Sequence, residues 1–96
     1  MRIRFAASAR DDFLERIAYI ANDSPQAARR FKDRCLTVLE RLERFPESGR
    51  RIPEFPDLPH REVLVGAYRF FYRVKGKTIW IVAVWHDAQM PESLGG

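Results

Sequence analysis

The spacing of apolar residues at the start of the chain predicts a strand followed by a helix. Arginine alternates with isoleucine and phenylalanine over residues 2–5, which is the period of a strand with one buried face. Apolar residues then recur at helical spacing from Phe13 to Ile20. Ser8 and Asp11 have the spacing of a capping box, so we predict that the first helix begins at Ser8.

A second helix follows directly and has the clearest pattern in the chain. Ser24 suits its N-cap, Pro25 suits its first turn, and Pro46 ends it. Apolar side chains step along it by three and four residues, at Ala28, Phe31, Cys35, Val38, Leu42 and Phe45. The opposite face is charged. Because the link between the helices is short, we predict an antiparallel helical hairpin that covers one face of a sheet.

In the second half of the chain, residues alternate with the period of two that is typical of β-strands. A proline-containing loop, Ser48–Pro59, comes first. The predicted strands are Arg61–Val65, Tyr68–Val74 and Thr78–His86. Turns are predicted at Gly66–Ala67 and around Gly76. The chain is therefore expected to have an α+β fold, in which the N-terminal strand and a three-stranded antiparallel meander form one twisted sheet. The tail, residues 87–96, is expected to fray.

Length and composition narrow the class of protein. A chain of 96 residues is expected to form one domain over residues 1–96. It has no apolar run long enough to span a membrane and no signal peptide at its start, so we expect a cytoplasmic protein. One cysteine, Cys35, and two histidines, His60 and His86, supply no zinc or iron–sulfur ligand set. We therefore predict no metal and no cofactor, a buried thiol at Cys35, and a solvated His60 in the loop.

The charge of the chain favours anionic partners. The net charge is +4 and the isoelectric point about 9.7, which suits nucleic acid, a ribonucleoprotein or an acidic protein segment. Arg50, Arg51 and Arg61, in and after the proline-containing loop, are candidate contacts for such a partner. A solvated basic surface without a ligand is the alternative interpretation.

Strand alternation and two-residue turns predict which side chains share a face. One face should lie under the helical hairpin and the other should look out to solvent. The predicted outward set is Glu62, Leu64, Arg69, Phe71, Arg73, Trp80 and His86. Arginine and tryptophan in such a set suit a protein interface or single-stranded RNA, and a histidine can act as a general base. The alternative is structural, with Glu62 pairing Arg69 or Arg73 and Arg73 lying over Trp80.

Several segments in series resemble one protein family. R-E-V-L-V-G-A-Y-R-F-F-Y-R-V, residues 61–74, and I-V-A-V-W-H, residues 81–86, resemble the C-terminal sheet of the RelE/ParE toxins of type II toxin–antitoxin systems. A-R-D-D-F, A-Y-I-A, S-P-Q-A-A-R-R-F and F-P-E-S-G-R resemble the helical hairpin and loop of its ParE-like members. The resemblance implies the fold predicted above. It also implies a cognate antitoxin, often acidic, whose C-terminal segment wraps the toxin in a hetero-oligomer.

The resemblance implies two mechanisms, because ParE-like members poison DNA gyrase and RelE-like members cut mRNA on the ribosome. In the ribonuclease case, Arg69 and Arg73 would hold the phosphate and Glu62 or His86 would be the base, without a metal. The long second helix and the S-P-Q-A-A stretch favour the ParE-like side, and two departures weaken the ribonuclease interpretation. Asp87–Ala88–Gln89 follows His86 where many relatives place an arginine, and the C-terminal tyrosine of several ribonucleases is absent.

We therefore predict a growth-inhibiting toxin, closer to the ParE-like members, that binds gyrase without being an enzyme. The alternative is a ribosome-dependent mRNA endonuclease, and a third hypothesis is an inactive member that binds its antitoxin and helps repress their shared operon. The residues predicted to contact partner proteins are Arg69, Phe71, Arg73, Trp80, Arg50, Arg51 and Arg61.

Overall fold

The computed structural model describes residues 1–87, in which two helices and five strands form. In chain order these are β1 (Arg2–Phe5), α1 (Ala7–Asp23), α2 (Pro25–Arg44), β2 (Arg50–Arg51), β3 (Arg61–Val65), β4 (Tyr68–Lys75) and β5 (Thr78–His86). The predicted α+β fold is confirmed. β2 is an additional short strand inside the proline-containing loop. The prediction for the tail falls almost entirely outside the described residues.

The strands form one sheet in the order β1–β5–β4–β3–β2. β1 runs parallel to β5, with Ile3 beside Ile79, and the other neighbouring strands are antiparallel. The hairpins turn at Gly66 and Gly76, whose φ angles are 58° and 59°. A two-residue turn with a positive φ at its first position matches the twist of the flanking strands, and glycine adopts that angle without strain.

A side-chain cap marks the start of α2, whereas the start of α1 has none. The Ser24 hydroxyl accepts a hydrogen bond from the Ala27 N–H at 3.1 Å, so the predicted N-cap of α2 is confirmed. The end before Pro46 is confirmed as well. The start of α1 at Ser8 is wrong, because the helix begins at Ala7 and its N-cap is Ala6, which makes no side-chain cap. Neither helix is long and apolar enough to span a membrane.

The helical hairpin covers one face of the sheet, the helix face, and forms the main core with it. From α2 the core takes Phe31, Cys35, Leu39 and Leu42, and from the sheet Val65, Phe70, Tyr72, Ile79, Ile81 and Val84. The predicted buried thiol is confirmed, because Cys35 is 1% exposed. Burial raises the pKa of Cys35 to about 12, since a thiolate there would lose its hydration.

The opposite face, the outer face, is partly covered by the loop that precedes β3. Ile52 is fully buried there against Phe71, Val82 and Ala83, and Phe55, Trp80 and Trp85 pack around them. The prediction that the whole outer face looks out to solvent is therefore wrong. The loop carries two large apolar side chains of its own, and burying them against the sheet is favourable.

A β-bulge interrupts the pairing of β4 with β5. Phe71 lies opposite Ala83, whereas the next residue, Tyr72, lies opposite Ile81. Val82 is therefore an extra residue on β5. Because strand side chains alternate with a period of two, one extra residue moves every later side chain to the opposite face.

The bulge decides where His86 lies. His86 pairs with Tyr68 on the helix face, where the two rings meet edge to face at 5.4 Å. Tyr68 in turn packs against Phe31 of α2, with 5.1 Å between the ring centroids. Arg69 pairs instead with Trp85 on the outer face. The prediction that His86 shares a face with Arg69 is wrong, because it assumed an uninterrupted ladder.

Candidate functional site

The outer face holds a group of four charged side chains centred on Arg69. Arg69 donates from Nε and Nη2 to Oε1 of Glu62, at 2.9 and 2.6 Å. Its Nη1 and Nη2 atoms also donate to Oε2 and Oε1 of Glu54, at 2.8 and 2.7 Å. Nε of Arg50 donates to Oε2 of Glu62 at 2.6 Å. We call Arg50, Glu54, Glu62 and Arg69 the ion-pair cluster.

Strand register and loop docking bring the cluster together. Leu64 lies opposite Arg69, which places Glu62 diagonally across from it, within reach of a long side chain. Arg50 on β2 lies opposite Glu62. Glu54 lies in the loop that covers the outer face, two residues after the buried Ile52.

The charges of the cluster balance, with two arginines and two glutamates. The hydrogen bonds from Arg69 lower the pKa of Glu54 from its ordinary value of 4.5 to about 2. The same contacts raise the pKa of the Arg69 guanidinium, which also lies 4.9 Å from the centre of the Phe71 ring. Charge-assisted and bidentate hydrogen bonds of this kind are the strong ones in proteins.

The cluster leaves Arg69 and Glu62 with little capacity for a ligand. Arg69 is 4% exposed and Glu62 1%. Each of the three guanidinium nitrogen atoms of Arg69 already donates to a carboxylate, and both oxygens of Glu62 already accept from an arginine. The prediction of an outward-facing Arg69 and Glu62 is wrong, and their structural pairing is what the chain forms. Phe71, also predicted outward, is fully buried.

The loop that supplies β2 is anchored by a tyrosine from the helix face. The Tyr72 hydroxyl donates to the Pro46 carbonyl at 2.6 Å and accepts from the Gly49 N–H at 3.0 Å. Arg61 donates from Nη1 to the Gly49 carbonyl at 2.9 Å. A Cβ at Gly49 would lie 2.6 Å from the Tyr72 hydroxyl, so glycine is required there. Arg61 therefore supports this loop.

Neither histidine is a member of the ion-pair cluster. His60, predicted to be solvated, is 5% exposed, so that prediction is wrong. His86 is half-buried on the helix face. Within residues 1–87 no group of histidine, cysteine, aspartate and glutamate residues is placed to hold a metal ion.

The remaining predicted residues stay accessible. Arg50 keeps 60% of its side chain exposed while it pairs with Glu62. Arg51 is exposed and donates to the Leu58 carbonyl at 3.3 Å. Arg73 and Trp80 lie opposite each other on β4 and β5, half-buried, near the Gly76 turn. Glu54 was not among the predicted site residues, because it lies in a loop where no periodicity marks its partner.

Comparison with known protein families decides the identity of the chain. The model of the ParE toxin of the type II toxin–antitoxin system parDE matches residues 3–91. The chain belongs to the ParE toxin family. The family resemblance inferred from the sequence is thereby confirmed, and no curated protein gives a significant match. Membership makes the chain the toxin of a type II system and implies an antitoxin partner.

Family membership bears on the role of the accessible arginines, because it implies a partner protein. A ParE family toxin is held by a partner protein, and charged groups at the rim of an interface speed association and select the partner. Arg50 and Arg51 lie on the edge strand β2, and Leu64 on the adjoining strand β3 is 50% exposed. The exposed side chains of Arg50 and Arg51 therefore present positive charge at this edge of the sheet.

Proposed function

We propose that this ParE family toxin arrests growth by binding and inhibiting DNA gyrase, without catalysis of its own, until its antitoxin neutralises it. The observation that carries the proposal is the separation of the candidate ribonuclease groups. Arg69 and Glu62 are buried in the ion-pair cluster on the outer face, and His86 lies on the helix face.

RNA cleavage without a metal needs a base for the 2′-hydroxyl and cations for the phosphate, within reach of one substrate. Glu62 is held between two arginines, and both of its oxygens already accept hydrogen bonds from them. His86 is on the other side of a sheet from Arg69. Of the four groups considered for ribonuclease chemistry, Arg73 alone is outside the cluster and on the outer face. This arrangement favours a binding protein over a nuclease.

The basic character of the chain also fits an acidic antitoxin. The net charge of +4 and the exposed Arg50 and Arg51 at one sheet edge favour fast association with a negatively charged segment. Gyrase acts on bacterial chromosomal DNA, so the proposal places the toxin in the cytoplasm. We infer that the antitoxin competes with the target for this accessible edge.

Parallel assays on the purified full chain test the proposal. Gyrase supercoiling of relaxed plasmid should be inhibited, while cell-free translation of a reporter mRNA should continue. The His86→Ala variant, checked for folding by thermal unfolding, should inhibit gyrase as the parent does. Loss of translation with cut mRNA, abolished by His86→Ala, would establish the nuclease alternative. A folded chain that inhibits neither process would support the inactive, antitoxin-binding hypothesis.

A further inference from the structure

The end of the outer face near the Gly76 turn carries a dense set of cations around one tryptophan. Cross-strand pairing across β1, β5 and β4 aligns two rows there. One row is Arg4, Trp80 and Arg73, and the other is Arg2, Thr78 and Lys75. We call these six residues the Trp80 face. Lys77, in the adjoining turn, adds a fifth cation at the same end.

The Trp80 face is set apart from the ion-pair cluster by its charge. The two rows contain four cations and no carboxylate. Arg2, Arg4 and Lys75 are exposed, and Arg73 is half-buried. Since neighbouring strands lie about 5 Å apart, the cations span roughly 10 Å across the sheet. Such a concentration of one sign attracts an anionic ligand.

A hollow of about 190 Å³ opens beside Trp80, lined also by Ala6, Arg73, Lys75 and Val82. Trp80 itself is half-buried, so its position is fixed by packing against the outer-face core. A held aromatic ring, a hollow beside it and flanking cations are the parts with which proteins bind single strands, by base stacking and phosphate contact.

We propose that the Trp80 face binds single-stranded nucleic acid, with a base seated in the hollow against Trp80 and phosphates on Arg2, Arg4, Arg73 and Lys75. The ligand is unpaired because a stacked base in a duplex cannot enter the hollow. Phosphates and base faces are common to DNA and RNA, so the face binds both with similar affinity. This proposal does not depend on gyrase being the target.

Fluorescence anisotropy with labelled dT20, rU20 and a 20-base-pair duplex tests the proposal on the full chain. Engagement of four phosphates predicts that log K falls with log salt concentration at a slope of about −3, from about 0.7 per phosphate on a single strand. Arg2→Ala with Arg4→Ala should reduce the slope by about 1.4 and weaken binding about 25-fold at 100 mM salt. The matched control is Arg29→Ala with Arg30→Ala, on the exposed face of α2, which should change neither value appreciably.

The role of the ring is tested at Trp80. Trp80→Ala should weaken binding of either single strand at least fivefold, and Trp80→Phe, which keeps an aromatic face, should restore most of it. Thermal unfolding of each variant confirms that the folded protein is compared. The proposal is overturned if the parent does not bind dT20 or rU20 at 50 mM salt, or if the duplex binds as tightly. It is equally overturned if folded Trp80→Ala binds as the parent does, or if the α2 control loses as much affinity as the β1 pair.

Discussion

Replacing Glu62 with glutamine tests whether the ion-pair cluster holds the outer face together. The substitution keeps the size of a side chain that is fully buried and removes its charge. Glutamine keeps one acceptor oxygen and replaces the other with an NH2 group, so either the two hydrogen bonds from Arg69 or the one from Arg50 lose their acceptor. The glutamine amide also places a donor where an arginine already donates.

The expected loss in the free energy of unfolding depends on the arginine charge that stays buried. Removing one partner of a buried ion pair costs about 3–5 kcal/mol, because the other charge stays in a medium of low polarity. Arg69 retains its bidentate pair with Glu54, so we expect the lower end of that range, about 3 kcal/mol. For a chain of this size that corresponds to a fall in Tm of roughly 12–24 °C.

Urea unfolding followed by tryptophan fluorescence measures the loss. Glu54→Gln is the matched control, because it makes the same chemical change at a side chain that is 25% exposed. Water can replace part of that contact, so we expect a loss of about 1 kcal/mol there. Equal losses from the two variants, or a loss below 1 kcal/mol for Glu62→Gln, would refute the argument from burial.

A double variant separates structure from function. Arg69→Met with Glu62→Leu removes both buried charges, and apolar replacement of a buried pair is often neutral or stabilising. The proposed gyrase inhibition should survive in this folded variant. Its loss, with stability kept, would show that the cluster acts on a target directly.

Three further outcomes are expected from particular groups. Gly49→Ala should destabilise the fold by about 1–3 kcal/mol in urea unfolding, because the added Cβ would lie 2.6 Å from the Tyr72 hydroxyl. Acid should weaken the fold through Glu54, whose lowered pKa of about 2 makes the unfolded chain bind protons first. That contribution is complete above pH 4.5 and is lost toward pH 2, as unfolding titrations should show. Native Cys35 should resist alkylation by iodoacetamide at pH 8, because burial raises its pKa to about 12.

Each of these outcomes has its own control. Gly76→Ala is the comparison for Gly49→Ala, since a Cβ at Gly76 meets nothing within 4 Å and strains the φ angle alone. Glu54→Gln should flatten the acid dependence between pH 4.5 and pH 2, and an unchanged profile would contradict the assignment. Cys35 should be alkylated rapidly once urea unfolds the chain, and fast labelling of the native protein would argue against burial.

The sequence alone determined the features that depend on neighbours in the chain. The Ser24–Pro25 start of α2, its apolar stripe, the glycine turns and the order of elements all follow from local geometry and periodicity. Those patterns, with the quoted segments, were also sufficient to indicate the family. Cys35 was placed in the core for the same reason, because its position on a helical stripe fixes its environment.

Tertiary structure decided the site, because its members meet through contacts that no local pattern encodes. The extra residue Val82 changes the face of His86, and a bulge is set by how two strands fit against their neighbours. Ile52 carries Glu54 onto Arg69, so a surface expected to be open became a closed set of ion pairs. Residue types were visible in the sequence, but their burial and partners came from a loop folding over a sheet, where apolar burial outweighs the preference of the loop for solvent.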